Sequence, residues 1–263
     1  MSRFFKQRWG PLVLLVVAGL VAAACGGSSS SSAPGATTAP GTAEATQAES
    51  SGGNGGGGDV LSGAVGQFGN LQSYKFTMTW AGSYWSSYAS LLGGTGETGE
   101  VAISGTIIAK PEKAADVSIG DFHIIEVGGK SYMDMGSGQF VASPASGASM
   151  ADSFAPGNYF TSALSGLSSD YKLVGEETKN GVTALHFSAD PEAVAQYGTV
   201  FDVTDATWAA DTWVAKDGGY PVSMSLIATA SDGSSAFKFV FDVTNINDPG
   251  NKVEAPTNVM SLP

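Results

Sequence analysis

Val174-Gly-Glu-Glu-Thr-Lys-Asn-Gly-Val-Thr-Ala-Leu-His186 reads as two short strands meeting at Asn180-Gly181. An Asn-Gly pair is the strongest short hairpin signal because a two-residue type I′ turn needs positive φ at both central positions. Strands are therefore expected over 171–178 and 182–188. The same grammar continues in both directions. Toward the C-terminus, apolar runs over 207–216, 221–230 and 235–244 are separated by the turns Asp217-Gly218-Gly219 and Asp232-Gly233, and Phe237, Phe239 and Phe241 share one strand face. Toward the N-terminus, Tyr74, Phe76, Met78 and Trp80 alternate with Lys75, Thr77 and Thr79, the period of a half-buried strand. A second alternating run, Val101, Ile103, Gly105, Ile107 and Ala109, stops at Lys110-Pro111. Strands over 115–119, 122–127 and 131–135 follow, the last two joined at Gly128-Gly129. Short strands with Gly-rich turns predict antiparallel meanders.

Three segments break the period of two. Val60, Leu61, Ala64, Val65 and Phe68 stand near helical spacing with Asp59 in front, which predicts a short helix capped by Asp59 and weakened by Gly63 and Gly66. An irregular helical pattern, with Met150, Phe154, Phe160 and Leu164, runs over 143–166 and is interrupted at Pro156-Gly157. Asp190-Pro191 starts a helix to about Tyr197, with proline at its favoured first position. Between the first two strands, residues 81–99 form a connection longer than a hairpin needs. It carries Tyr84, Trp85, Tyr88, Leu91 and Leu92, the residues of a lid or partner-contacting loop, or of a loop that covers one end of the core.

The N-terminus carries a different message. Arg3, Lys6 and Arg8 precede an apolar run over 12–24 that ends in Val21-Ala22-Ala23-Ala24-Cys25. A basic segment, a short apolar segment and small residues before a cut describe a secretory signal peptide, and the run is shorter than the roughly 20 residues of a membrane span. With Cys25, the only cysteine, at the cut, the site resembles a bacterial lipobox, although Ala22 stands where leucine is usual. The expected organisation is a signal peptide over 1–24, a lipidated Cys25 with a disordered Gly/Ser/Ala/Thr/Pro-rich tether over 25–58, and one domain over 59–263. Such a tether reaches about 30 Å. Two or more acyl chains, such as a diacylglyceryl group and palmitate, hold a protein stably to a membrane. The expected location is thus the outer face of the bacterial cell membrane.

Charge narrows the partners. The whole chain carries 12 basic and 24 acidic residues, a formal charge of −12, and loss of residues 1–24 takes it to −15. Phosphate backbones are repelled, so nucleic acid is excluded, and no polybasic patch exists for anionic headgroups. With no second cysteine, the fold is held by its core.

In sequence order these features resemble the LolA-like family of lipoproteins, in particular the actinobacterial group LppX, LprA, LprF and LprG. The resemblance rests on the hairpin from Val174 to His186 and on Asp211-Thr-Trp-Val-Ala-Lys-Asp-Gly-Gly-Tyr-Pro-Val222. It also rests on Phe241-Asp-Val-Thr-Asn-Ile-Asn247 with Val253-Glu-Ala-Pro256, and on the strand pair from Tyr132 to Phe140, where Phe140 replaces the family's tryptophan. It implies an α+β fold: a strongly curved antiparallel β half-barrel with helices over its concave face and an apolar cavity between them that takes acylated lipids or lipoprotein chains. Phe76, Met78, Trp80, Ile103, Ile107, Phe239 and Phe241 are the candidates for its lining.

Catalytic patterns do not compete with this reading. His123 and His186 lack metal-ligand spacing, and no nucleophile elbow, phosphate loop or dinucleotide fingerprint occurs. Glu176-Glu177 falls at a hairpin, Lys216 at a meander turn, and Asp202, Asp205 and Asp211 lack the EF-hand spacing. The expectation is a non-enzymatic, monomeric lipoprotein without cofactor or metal, tethered through Cys25, that binds or carries an acyl ligand. The alternative is a surface or sensor lipoprotein with a filled core that binds a protein partner.

Overall fold

Asn180 and Gly181 take φ of 52° and 83°, as the turn requires, and join β7 (Tyr171–Lys179) to β8 (Val182–Ala189). The computed structural model describes residues 57–83, 99–145, 149–153 and 170–260, all within one compact unit, Gly55–Pro263. The other strands are β1 (Ser73–Ala81), β2 (Val101–Ile108), β3 (Ala114–Ile119), β4 (Phe122–Val127), β5 (Lys130–Met135), β6 (Phe140–Pro144), β9 (Ala206–Ala215), β10 (Pro221–Ala230), β11 (Ser235–Thr244) and β12 (Val259–Met260).

All of these strands belong to one open sheet in the order β12-β6-β5-β4-β3-β2-β1-β11-β10-β9-β8-β7. Two meanders, β1 to β6 and β7 to β11, are fused where β1 pairs antiparallel with β11, Met78 opposite Phe241. The sheet curves around a core to make the expected α+β half-barrel. Only β12 departs from the antiparallel rule. It runs parallel to β6, with Val259 opposite Phe140 and Met260 opposite Val141, and no strand was expected there.

The helices correct the sequence reading in three places. α1 (Gly57–Gln67) begins two residues early, so Asp59 lies in its first turn instead of capping it. Gly57 makes that start feasible, since a Cβ there would stand 2.6 Å from the Tyr171 carbonyl oxygen of β7. Ser143 and Pro144 belong to β6 where a helical pattern was read. The next helix is α2 (Met150–Ser153), and Phe154, Phe160 and Leu164 lie outside the described residues. The helix expected from Pro191 is two separate turns, α3 (Pro191–Val194) and α4 (Tyr197–Val200). Asp190 does cap α3, its carboxylate accepting the Glu192 N–H at 3.1 Å. No helix among the described residues is long and apolar enough to cross a membrane.

Paired residues in adjacent strands project on the same side of a sheet, so the register maps its inner face. Leu173, Phe187, Thr212, Met224, Phe241, Met78, Ile103, Ile119, Phe122 and Met135 form one unbroken row across ten strands, β7 to β5. Leu61 and Ala64 of α1 and Val194 of α3 join the middle of this face in one buried core. Aromatic pairs fill it: Phe201 on Phe237 at 4.3 Å, Trp80 on Phe239 at 4.2 Å and Phe76 on Phe241 at 5.9 Å between ring centroids. Each buried large side chain contributes about 1.5–3 kcal/mol by leaving water.

The hairpin at Asn180 is also tied across the sheet. Its side-chain amide is placed to donate to Asp242 Oδ1 at 3.0 Å, the Val222 carbonyl at 3.1 Å and the Val243 carbonyl at 3.3 Å. Asn180→Ala is expected to cost about 2 kcal/mol in urea unfolding, because it removes these bonds and puts a Cβ residue without a local polar partner at positive φ. Asn180→Gly keeps the turn and should cost less, the difference separating turn from tie.

Candidate functional site

The inner face changes character at its β4 to β6 end. Tight turns at Gly120-Asp121 and Gly128-Gly129 fix the register of β3, β4 and β5, so the inner row Val117, Ile124, Met133, Val141 and Met260 continues the row of Phe76 and Gly105. Between β8 and β3 this face is covered: α1 packs against β7 and β10, α3 against β9 and α2 against β3. Beyond β3 the apolar side chains emerge. Phe122 and Ile124 are half-buried, while Met133, Met135, Val141 and Met260 are 44%, 70%, 37% and 44% exposed. Adjacent strands lie about 4.8 Å apart, so β4 to β12 spans roughly 14 Å. The result is an apolar shelf continuous with the core.

Why the shelf is left bare is clear from the other side of the same strands. Ile125, Tyr132 and Phe140 point outward and form a second core, closed by Val253 and Val259 of the C-terminal tail. Asp134 points the same way, accepting from the Ser137 hydroxyl at 2.9 Å and from the N–H groups of Ser137 and Gly138. Burial pushes its carboxyl up, and these hydrogen bonds outweigh that and hold it below the usual range. With Tyr132 and Asp134 committed outward, the alternation of β5 places Met133 and Met135 inward.

At the opposite end of the strands the inner face turns polar. Tyr74, Ile107, Ala115, Glu126, Ser131 and Ser143 form its row. Glu126 is 8% exposed and accepts from the Ser149 hydroxyl at 3.4 Å. Lys113 and Asp152 pair nearby at 2.7 Å, and burial, then the Asp152 charge, raises the Tyr74 phenol. Ser131 and Ser143 are the accessible polar members of this row, half-buried and exposed, so the surface has an apolar end and a hydroxyl-bearing end.

The seven residues expected to line a cavity all face inward. Phe76, Met78, Ile107, Phe239 and Phe241 are buried in the core, and Trp80 and Ile103 pack partly buried against it. An open depression of about 400 Å³ lies away from them, between the Gly128-Gly129 turn, Lys130 and the Ala142-Ser143-Pro144 segment. Cys25, Tyr84, Trp85, Tyr88, Leu91 and Leu92 lie outside the described residues. Sequence reasoning misses the shelf because strand alternation marks the inner face only over β1, β2 and β11. The two glycine turns after Ile119 were the signal that would have carried it on to Met133 and Met135.

On the outer face, His186 Nε2 lies 2.9 Å from Asp211 and Nδ1 lies 3.5 Å from Glu177, its ring stacked on Trp213 at 4.5 Å. The Trp213 indole N–H donates to Glu177, and Lys179 sits over the Trp213 ring at 4.2 Å and 4.0 Å from Asp242. These contacts strap the edge strand β7 to β9 and β11. Lys216, at its meander turn, pairs with Glu176 at 2.7 Å in a half-exposed contact. Among the described residues no group of three or more His, Cys, Asp or Glu side chains could hold a metal ion.

No family model matches the sequence, and no curated protein matches it. Solved structures do. A LolA superfamily protein of Nitrosomonas europaea, NE2245, matches at 11% identity over 79% of this chain and 95% of its own, with a TM-score of 0.24. The Mycobacterium tuberculosis lipoprotein LppX matches at 16% identity over 75% of this chain and 97% of its own, with a TM-score of 0.43. LprF of Mycobacterium bovis matches at 10% identity over 76% of this chain and 96% of its own, with a TM-score of 0.45.

Proposed function

We propose that this chain is an exported lipoprotein, anchored through Cys25, that holds an acyl chain of a lipid or lipoprotein against the apolar shelf of its half-barrel and performs no catalysis. The observation that carries the reading is the inner row of apolar side chains that runs out of the core and surfaces at Met133, Met135, Val141 and Met260. A monomeric soluble surface rarely leaves contiguous apolar side chains bare without a ligand or partner for them. Methionine suits a flexible alkyl chain because its unbranched thioether adapts its shape. Ser131 and Ser143, half-buried and exposed at the other end of the same strands, offer hydrogen bonds to a head group, and the acidic chain disfavours a strongly anionic one. The lipobox-like Val21-Ala22-Ala23-Ala24-Cys25 and the resemblance of the hairpins to the LolA-like family support the same reading.

Titration of the mature protein with a fluorescent fatty acyl probe tests it. Saturable binding, displaced by unlabelled fatty acid, is expected, and native mass spectrometry of gently extracted protein should show bound lipid. A protein that carries no lipid and takes up no probe is not an acyl carrier.

A further inference from the structure

The shelf is built from the most oxidisable apolar side chain. Met133 and Met135 stand two residues apart on β5. Met133 is opposite Val141, which in turn is opposite Met260, so three thioethers share one patch. They are 44%, 70% and 44% exposed, whereas Met78 and Met224, on the same face of the same sheet, are each 1% exposed in the packed core. With a single cysteine in the sequence, thioethers are the principal sulfur that an external oxidant meets.

We propose that Met133, Met135 and Met260 are an oxidation site that switches the shelf off, an inference that rests on the acyl-binding reading. With hydrogen peroxide as oxidant, the thioether sulfur takes the distal oxygen: an S–O bond forms, the O–O bond breaks, sulfur loses two electrons and the peroxide leaves as water. The product is a sulfoxide, which is polar and chiral where the thioether was apolar. An acyl chain laid on it would have to desolvate that oxygen without supplying a hydrogen bond, which works against binding. Methionine sulfoxide reductases, one for each epimer, reverse the step with a dithiol as reductant: the dithiol gives up two electrons and becomes a disulfide, and the sulfoxide oxygen leaves as water. The core beneath is untouched because Met78 and Met224 are closed to the oxidant, so the fold survives while the surface changes polarity.

The test treats the mature, full-length protein with hydrogen peroxide, maps oxygen uptake by peptide mass spectrometry and titrates the fluorescent acyl probe before oxidation, after oxidation and after reductase treatment. One oxygen is expected on each of Met133, Met135 and Met260 before either Met78 or Met224 reacts. Probe affinity should fall about tenfold or more and return with the reductases, with the circular dichroism spectrum unchanged. The triple variant M133L/M135L/M260L, whatever its starting affinity, should show no change on peroxide treatment. Undiminished affinity of the triply oxidised protein overturns the proposal and leaves the acyl-binding reading standing, as does a peroxide-dependent fall in the triple variant. If the untreated protein binds no probe, the acyl-binding reading fails and this proposal fails with it.

Discussion

Met135→Asp is expected to reduce acyl-probe affinity a hundredfold or more while leaving the unfolding midpoint nearly unchanged. Met135 is 70% exposed, so a carboxylate there stays hydrated in the free protein, and surface substitutions of that kind shift stability by about 0.5 kcal/mol or less. In the complex the same carboxylate would be pressed against an alkyl chain, which carries no charge to pair it, at a cost of several kcal/mol. Thr77→Asp is the control, because Thr77 is exposed on the outer face of β1 and should leave probe binding as it was. Equal loss in both variants would mean that added negative charge, not the shelf, governs affinity.

Phe241→Ala should do the reverse, removing about 3–5 kcal/mol from the free energy of unfolding measured in urea. The ring is fully buried, stacked on Phe76 and in register between Met78 and Met224, so its truncation leaves a cavity among packed side chains. Domains of this size are stable by only about 5–15 kcal/mol, so the variant would sit near the edge of folding. Together the two substitutions locate the ligand. If Phe241→Ala left stability intact and abolished binding, the acyl chain would lie between helices and sheet where the sequence first placed it, and not on the shelf.

Much of this architecture is legible in the sequence because strands report themselves locally. The runs at β4, β10 and β11 have the ends read from alternation and turn residues, and Asn180-Gly181 marks a two-residue hairpin outright. What was hidden is non-local. Val259 and Met260 have no period of their own and become a strand only through β6, and the β1 to β11 pairing joins residues as distant as Lys75 and Thr244. The shelf was hidden for a subtler reason: β5 carries large side chains on both faces. Tyr132 and Met133 are equally plausible inward residues until the outer core formed by Phe140, Val253 and Val259 claims Tyr132.

The pairing of β1 with β11 also dictates when the molecule can finish folding. β1 is among the first strands to be synthesised, yet one flank of it stays a bare edge bearing Phe76, Met78 and Trp80 until residues 235–244 exist to pair with it. Contacts this far apart in sequence make closure slow, and an uncapped apolar strand is prone to wrong pairings while it waits. Each meander can form from local hairpins as it emerges, but the half-barrel is a late event that the last long strand triggers. A chain wired in this way stays open for most of its synthesis, which is the condition in which a polypeptide can still be threaded through a narrow channel.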